Sequence, residues 1–127
     1  MKTKITMFIA LLFAITIHAN AQGMQRMTVE ERVKTTMDKM TTPLNLDTAE
    51  QSKTATVFTD FYTSQNKMRE DARASGTRPD RSVFEKIMND RDDKLKAIFT
   101  DTQYKKYKDE VEATLRPQRQ QDGGGTQ

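Results

Sequence analysis

The chain has 127 residues, with no cysteine, no tryptophan and a single histidine, His18, near its start. Those absences exclude disulfides, zinc sites built from Cys and His, cysteine nucleophiles and any Ser-His or Cys-His pair beyond residue 18. The formal charge is +3, from 21 Lys and Arg against 18 Asp and Glu, and a charged fraction of 31% limits the size of a globular core.

In chain order, the first feature is a leader. Lys2 and Lys4 make a positive start, an apolar run extends from Thr6 to Ile17, and Ala19-Asn20-Ala21 follows. That is the layout of a secretory signal peptide over residues 1–21, with cleavage expected between Ala21 and Gln22. The run is well short of the roughly 20 residues a spanning helix needs. No cysteine follows it to carry a lipid anchor, so an exported, soluble protein is expected. Two of the 21 basic residues leave with the leader, so 19 face 18 acidic ones and the remaining chain is nearly neutral. Nucleic acid is therefore not an expected partner. With the histidine gone and no catalytic motif present, neither an enzyme nor a cofactor is expected.

Residues 22–27 read as a flexible mature N-terminus, and residues 28–116 carry helical patterning throughout. Thr28-Val29-Glu30-Glu31 has the spacing of a capping box and predicts a first helix, closed by Pro43. Asp47-Thr48-Ala49-Glu50 predicts a second, long helix running to about Ala74, with Gly76 as its stop. Ser82-Val83-Phe84-Glu85 predicts the start of a third after Pro79. Thr100-Asp101-Thr102-Gln103 predicts a fourth that ends before Pro117, with Phe99 and Tyr104 placed as a hydrophobic staple. Residues 117–127 form a polar, Gly-rich tail expected to be disordered.

The apolar positions agree with this division and show no useful strand alternation, so the fold class is all-α. Val29, Val33, Met37 and Met40 make one stripe on the first helix. On the second, Val57, Phe58, Phe61, Tyr62, Met68 and Ala72 cover nearly half the circumference, wider than one helix–helix seam uses. Phe84, Ile87, Met88, Leu95 and Ile98 line the third, with Arg91 inside the stripe. That arginine is expected to snorkel or to pair with a carboxylate across an interface. Tyr104, Tyr107, Val111 and Leu115 line the fourth.

Two helix starts share a theme: Leu46-Asp47-Thr48-Ala49-Glu50-Gln51 and Phe99-Thr100-Asp101-Thr102-Gln103. The second matches a Leu-Thr-x-x-Gln motif with Phe for Leu, and Tyr104-Lys105-Lys106-Tyr107 follows it. In the first, Asp47 replaces Thr and one extra residue precedes Gln51. With the leader and the helical patterning, residues 28 to 115 resemble the Spy/CpxP family of periplasmic proteins, of which this chain looks like a divergent member. The resemblance implies four helices in an elongated, hairpin-like subunit that pairs into a cradle-shaped homodimer. It also implies a periplasmic, ATP-independent holdase-type chaperone or envelope-stress protein whose partners are unfolded exported proteins. A regulatory adaptor docking on the periplasmic domain of a sensor kinase is the alternative, and a metal-responsive protein the third reading.

On the holdase reading, the client-binding candidates are Val57, Phe61, Met68, Met37 and Met40, with Arg69 and Arg73 as a cationic rim. Phe58 and Tyr62 are assigned to the core and Phe61 to the surface. Met24, Met27, Met37 and Met40 offer thioethers to soft Cu(I), but packing is the favoured role without His or Cys nearby. Asn89-Asp90-Arg91-Asp92-Asp93 lacks the Gly and closing Glu of a calcium loop and reads as a solvated helix face. No metal site is expected.

Overall fold

The computed structural model describes residues 27–116, so the leader, the Ala21–Gln22 junction, Met24 and the tail lie outside the described residues. Helix α1 spans Val29–Leu44, α2 Thr48–Ala74 and α3 Arg81–Ile98. Then α4 (Asp101–Lys106), a π-helical turn (Tyr107–Val111) and α5 (Glu112–Leu115) follow without a break and make up the fourth helix. Among the described residues there is no strand, and the fold is all-α. No helix among them is long and apolar enough to cross a membrane.

Three of the four predicted caps form as spaced. Thr28 Oγ1 accepts from the Glu31 amide while Glu31 Oε2 accepts from the Thr28 amide, at 3.2 and 2.7 Å. Asp47 and Glu50 repeat the exchange at 2.7 and 3.0 Å. Thr100 and Gln103 do so at 3.2 and 2.9 Å. Each box satisfies two backbone donors that a helix start otherwise leaves open.

The third start differs from expectation. Asp80, not Ser82, is the N-cap of α3, and Asp80 Oδ1 accepts from both the amide and the hydroxyl of Ser82 at 2.8 Å. A carboxylate two residues upstream captures the first free amides, leaving Ser82 inside the first turn.

The end of α1 differs too. Pro43 lies within the helix, and the chain turns only at Asn45, which adopts a left-handed φ of 52°. The amides of Asn45 and Leu46 return to the carbonyls of Thr42 and Thr41, the hydrogen-bond pattern of a Schellman stop. Pro43 has no amide to return to the Lys39 carbonyl, yet the helix runs on to Leu44 and ends at the left-handed Asn45. At the other end of α2, Gly76 takes a φ of +64° and closes the expected stop, with Thr77 donating back to Ala72.

Helix α2 packs against α1 on one side and α3 on the other, and the fourth helix lies against α1 and the end of α3. That explains the wide apolar arc. Val57, Phe58, Phe61 and Tyr62 are all buried, because two neighbours cover α2 at once. The 27 residues of α2 extend about 40 Å, farther than its partners reach. α1 starts at Val29 and meets Gln65 and Asn66 through Arg32, so the last turns of α2 have only the start of α3 for company. Met68 is accordingly half-buried, while Val83 and Phe84 are exposed.

The core joins Met40, Leu44 and Leu46 from the α1–α2 corner with Phe58, Leu95, Phe99, Tyr107 and Val111. Phe99 meets Tyr107 nearly edge-on, with ring centroids 6.1 Å apart. The aromatic partner of Phe99 is thus Tyr107, one turn beyond the Tyr104 expected to complete the staple.

Candidate functional site

Among the described residues, a cavity of about 460 Å³ opens between α1, α2, α3 and α5. Three aromatics from neighbouring turns of α2, Phe58, Phe61 and Tyr62, form its floor, with Phe84, Met88 and Leu115 from the facing helices. Phe58 and Phe61 pack at an interplanar angle of 88°, and Phe61 and Tyr62 lie 5.2 Å apart between centroids. Phe84 is 37% exposed and stands at the open side. A second cavity of about 340 Å³ adjoins it, and the two share Arg32, Tyr62, Leu115 and Arg116.

Four arginines line the larger cavity: Arg32, Arg69, Arg91 and Arg116. Their surroundings divide them. Arg91 is 5% exposed and neutralised. Its Nε and Nη2 donate to Asp92 Oδ1 at 2.8 and 2.6 Å, and Nη2 donates to Glu112 Oε1 at 2.7 Å. Lys108 completes the cluster, 2.9 Å from Asp92 Oδ2 and 2.7 Å from Glu112 Oε2. Two cations thus face two anions at the junction of α3 with the π-helical turn and α5. Burial pulls the Arg91 pKa down, but Tyr107, Asp92 and Glu112 more than offset it and hold the group above its ordinary value. The guanidinium also lies 4.8 Å from the centroid of the Phe61 ring.

Arg32 has no carboxylate within ion-pair distance among the described residues. It stacks 3.8 Å over the Tyr62 ring and donates to Gln65 Oε1 at 3.0 Å. Burial lowers its pKa, the neighbouring Tyr62 opposes this, and Arg69 adds to the lowering. Beneath that stack the Tyr62 hydroxyl lies 2.7 Å from Thr36 Oγ1, a buried hydrogen bond tying α1 to α2. Arg69, exposed one turn beyond Gln65, likewise has no acidic partner among the described residues.

The client-binding candidates are thus distributed. Phe61 lies on the cavity floor but is 7% exposed, so its assignment to the surface is corrected: it is a core residue with one edge on the cavity. Val57 and Met40 are also buried, Met40 completely, because α2 has neighbours on both sides and Met40 points into the α1–α2 corner. Met37 and Met68 are half-buried, the latter beside a separate small cavity at the α2–α3 tip. Of the two rim arginines, Arg69 lines the large cavity, whereas Arg73 is exposed on the last turn of α2. Phe58 and Tyr62 are core, as expected.

The two capped starts that share the Leu-Thr-x-x-Gln theme meet at one corner. Gln103 Oε1 caps α4, and its Nε2 donates to the Leu44 carbonyl at 3.3 Å and to Glu50 Oε2 at 3.1 Å. Gln51 Nε2 donates to the Leu46 carbonyl at 2.8 Å. The two capped starts therefore share one hydrogen-bonded corner, with Leu46 and Phe99 buried beneath it.

In the acidic run, Asp90 pairs with Lys86 and Asp92 with Arg91 and Lys108, so both carboxylates have basic partners. Asp92 departs from the solvated face expected of it. No cluster of three or more His, Cys, Asp or Glu suited to a metal occurs among the described residues. Arg32, Lys108 and Glu112 escaped the sequence reading. The Lys108–Glu112 spacing of four was available, but nothing local marks which helix they face. The chain matches no family model, no curated protein and no solved structure.

Proposed function

We propose that the protein is a periplasmic, ATP-independent holdase-type chaperone or stress protein of the Spy/CpxP kind, exported by residues 1–21. The observation that supports the reading is the open aromatic cavity bordered by arginines, which offers apolar contact and positive charge together. An exposed apolar segment of an unfolded protein gains by covering Phe84, Met88 and the edge of Phe61. Acidic residues flanking it gain from Arg69. Contacts of this loose kind release the client without nucleotide chemistry.

Aggregation of a chemically denatured client, followed by light scattering, tests the proposal. The protein should suppress scattering at near-stoichiometric ratios, and Phe84→Ser should weaken suppression without lowering the melting temperature. Unchanged aggregation at a large excess of protein overturns it. Mass spectrometry of the exported protein checks the leader, with Gln22 expected as the first residue. A solution mass measurement checks the homodimer that the resemblance implies.

A further inference from the structure

We propose that the large cavity binds a free, single-tailed anionic amphiphile, of which a medium- or long-chain carboxylate is the simplest case. This goes beyond the client reading and does not rest on it, since the ligand is a small molecule and its binding is read without any client.

Size and lining come first. A volume of about 460 Å³ falls within the range of sites that enclose small organic ligands. The floor of Phe58, Phe61, Tyr62 and Met88 offers apolar and aromatic surface, suited to an alkyl chain. Arg32 donates to Gln65, and Arg69 stands one helical turn beyond Gln65, so both guanidiniums border the same side of the opening.

Charge then selects the head group. Arg91 in the same lining is spent on Asp92 and Glu112 and offers no net charge. Arg32, Arg69 and Arg116 have no carboxylate partner among the described residues. Arg32 uses two of its N–H groups on the side-chain amides of Gln65 and Asn66, leaving others of its five for an incoming anion. A carboxylate there forms charge-assisted hydrogen bonds and relieves the mutual repulsion of two cations. A neutral amphiphile leaves that repulsion in place, and a cationic one adds to it. A compact anion such as phosphate leaves the aromatic floor uncovered. The chain beyond Pro117 carries no apolar side chain to lie on that floor.

The test uses the exported chain and dodecanoate below its micelle concentration, with dodecanol and dodecylammonium as tail-matched controls, read by calorimetry. Dodecanoate should bind at one site per chain, about tenfold or more tighter than either control. Arg69→Glu, an exposed substitution, should keep the helical circular dichroism, weaken dodecanoate about tenfold and strengthen dodecylammonium. Phe84→Ser should weaken every tail alike. Equal affinity for the three head groups overturns the proposal, as does indifference to Arg69→Glu. Binding to anionic lipid vesicles with none to monomeric dodecanoate also overturns it, and assigns the arginines to a membrane surface. Failure of client protection with dodecanoate binding intact would sink the holdase reading alone.

Discussion

Replacing Arg91 with alanine should destabilise the fold by about 3 kcal/mol, the low end of the cost of breaking a buried ion pair. The low end applies because Lys108 stays within 2.9 Å of Asp92 and 2.7 Å of Glu112, so neither carboxylate is stranded. The cluster passes from two cations and two anions to one cation and two anions. The Phe61 ring loses its cation as well, a smaller effect. For a helical unit of this size the melting temperature should fall by roughly 12–24 °C. Arg91→Met combined with Glu112→Met leaves Asp92 and Lys108 as a matched pair and removes the two most buried charges. That double variant should return to within about 1 kcal/mol of the parent. Urea denaturation of the parent, Arg91→Met, Glu112→Met and the double completes the cycle. Additive losses would refute the reasoning, since they would mean the partners are not coupled. A near-neutral Arg91→Ala would refute it equally, by showing that water already screens the cluster.

Other expected outcomes test the remaining supports. Thr100→Ala should cost roughly 0.5–2 kcal/mol in urea denaturation by uncapping α4. Gln103→Ala should cost at least about as much, because it also releases the Leu44 carbonyl and Glu50. Phe58→Ser and Phe61→Ser should both lower stability by several kcal/mol, on the order of 3–5, since each removes a buried ring; a Phe61→Ser protein with the parent's melting curve would contradict its placement. The hydrogen bonds from Ser82 hold the Asp80 carboxyl below its ordinary value of 3.8, so its support is present above that pH and lost as pH falls through the lower folded-state value. Asp80→Asn keeps a good cap at neutral pH and should resist acid better than the parent in a circular-dichroism titration.

Local chemistry was legible in the sequence and tertiary choice was not. The caps at Thr28, Asp47 and Thr100 were readable because each is closed within four residues. Ser82 misled because Asp80, just upstream, competes for the same amides and wins. Pro43 misled because the helix runs one residue past it, and the left-handed Asn45 ends the helix instead. Arg91 was conspicuous within an apolar stripe, and pairing was one of the two roles expected of it. Its partner Glu112 lies on another helix, after a π-helical turn that no residue pattern announced. The wide arc of α2 was also readable, but its meaning depended on how many neighbours cover it. Two do, so Phe61 is buried where a single seam would have left it outside.

The cavity survives in a small helical fold because polar braces set the helix spacing around it. Aromatic and aliphatic walls left to themselves would close together, since every exposed apolar surface gains by contact. Here the ion cluster fixes α3 against α5, while Arg32 and the Thr36–Tyr62 hydrogen bond fix α1 against α2. Lys39 adds a third tie, donating to the Thr114 carbonyl at 3.0 Å and holding α1 to α5. Each brace is polar and satisfied, and each borders one of the two adjoining cavities. A core built only for stability would favour apolar residues at Arg91 and Glu112, as the double methionine variant is designed to reveal. Keeping charge there sacrifices packing to hold the opening, which is the arrangement expected where the opening itself is used.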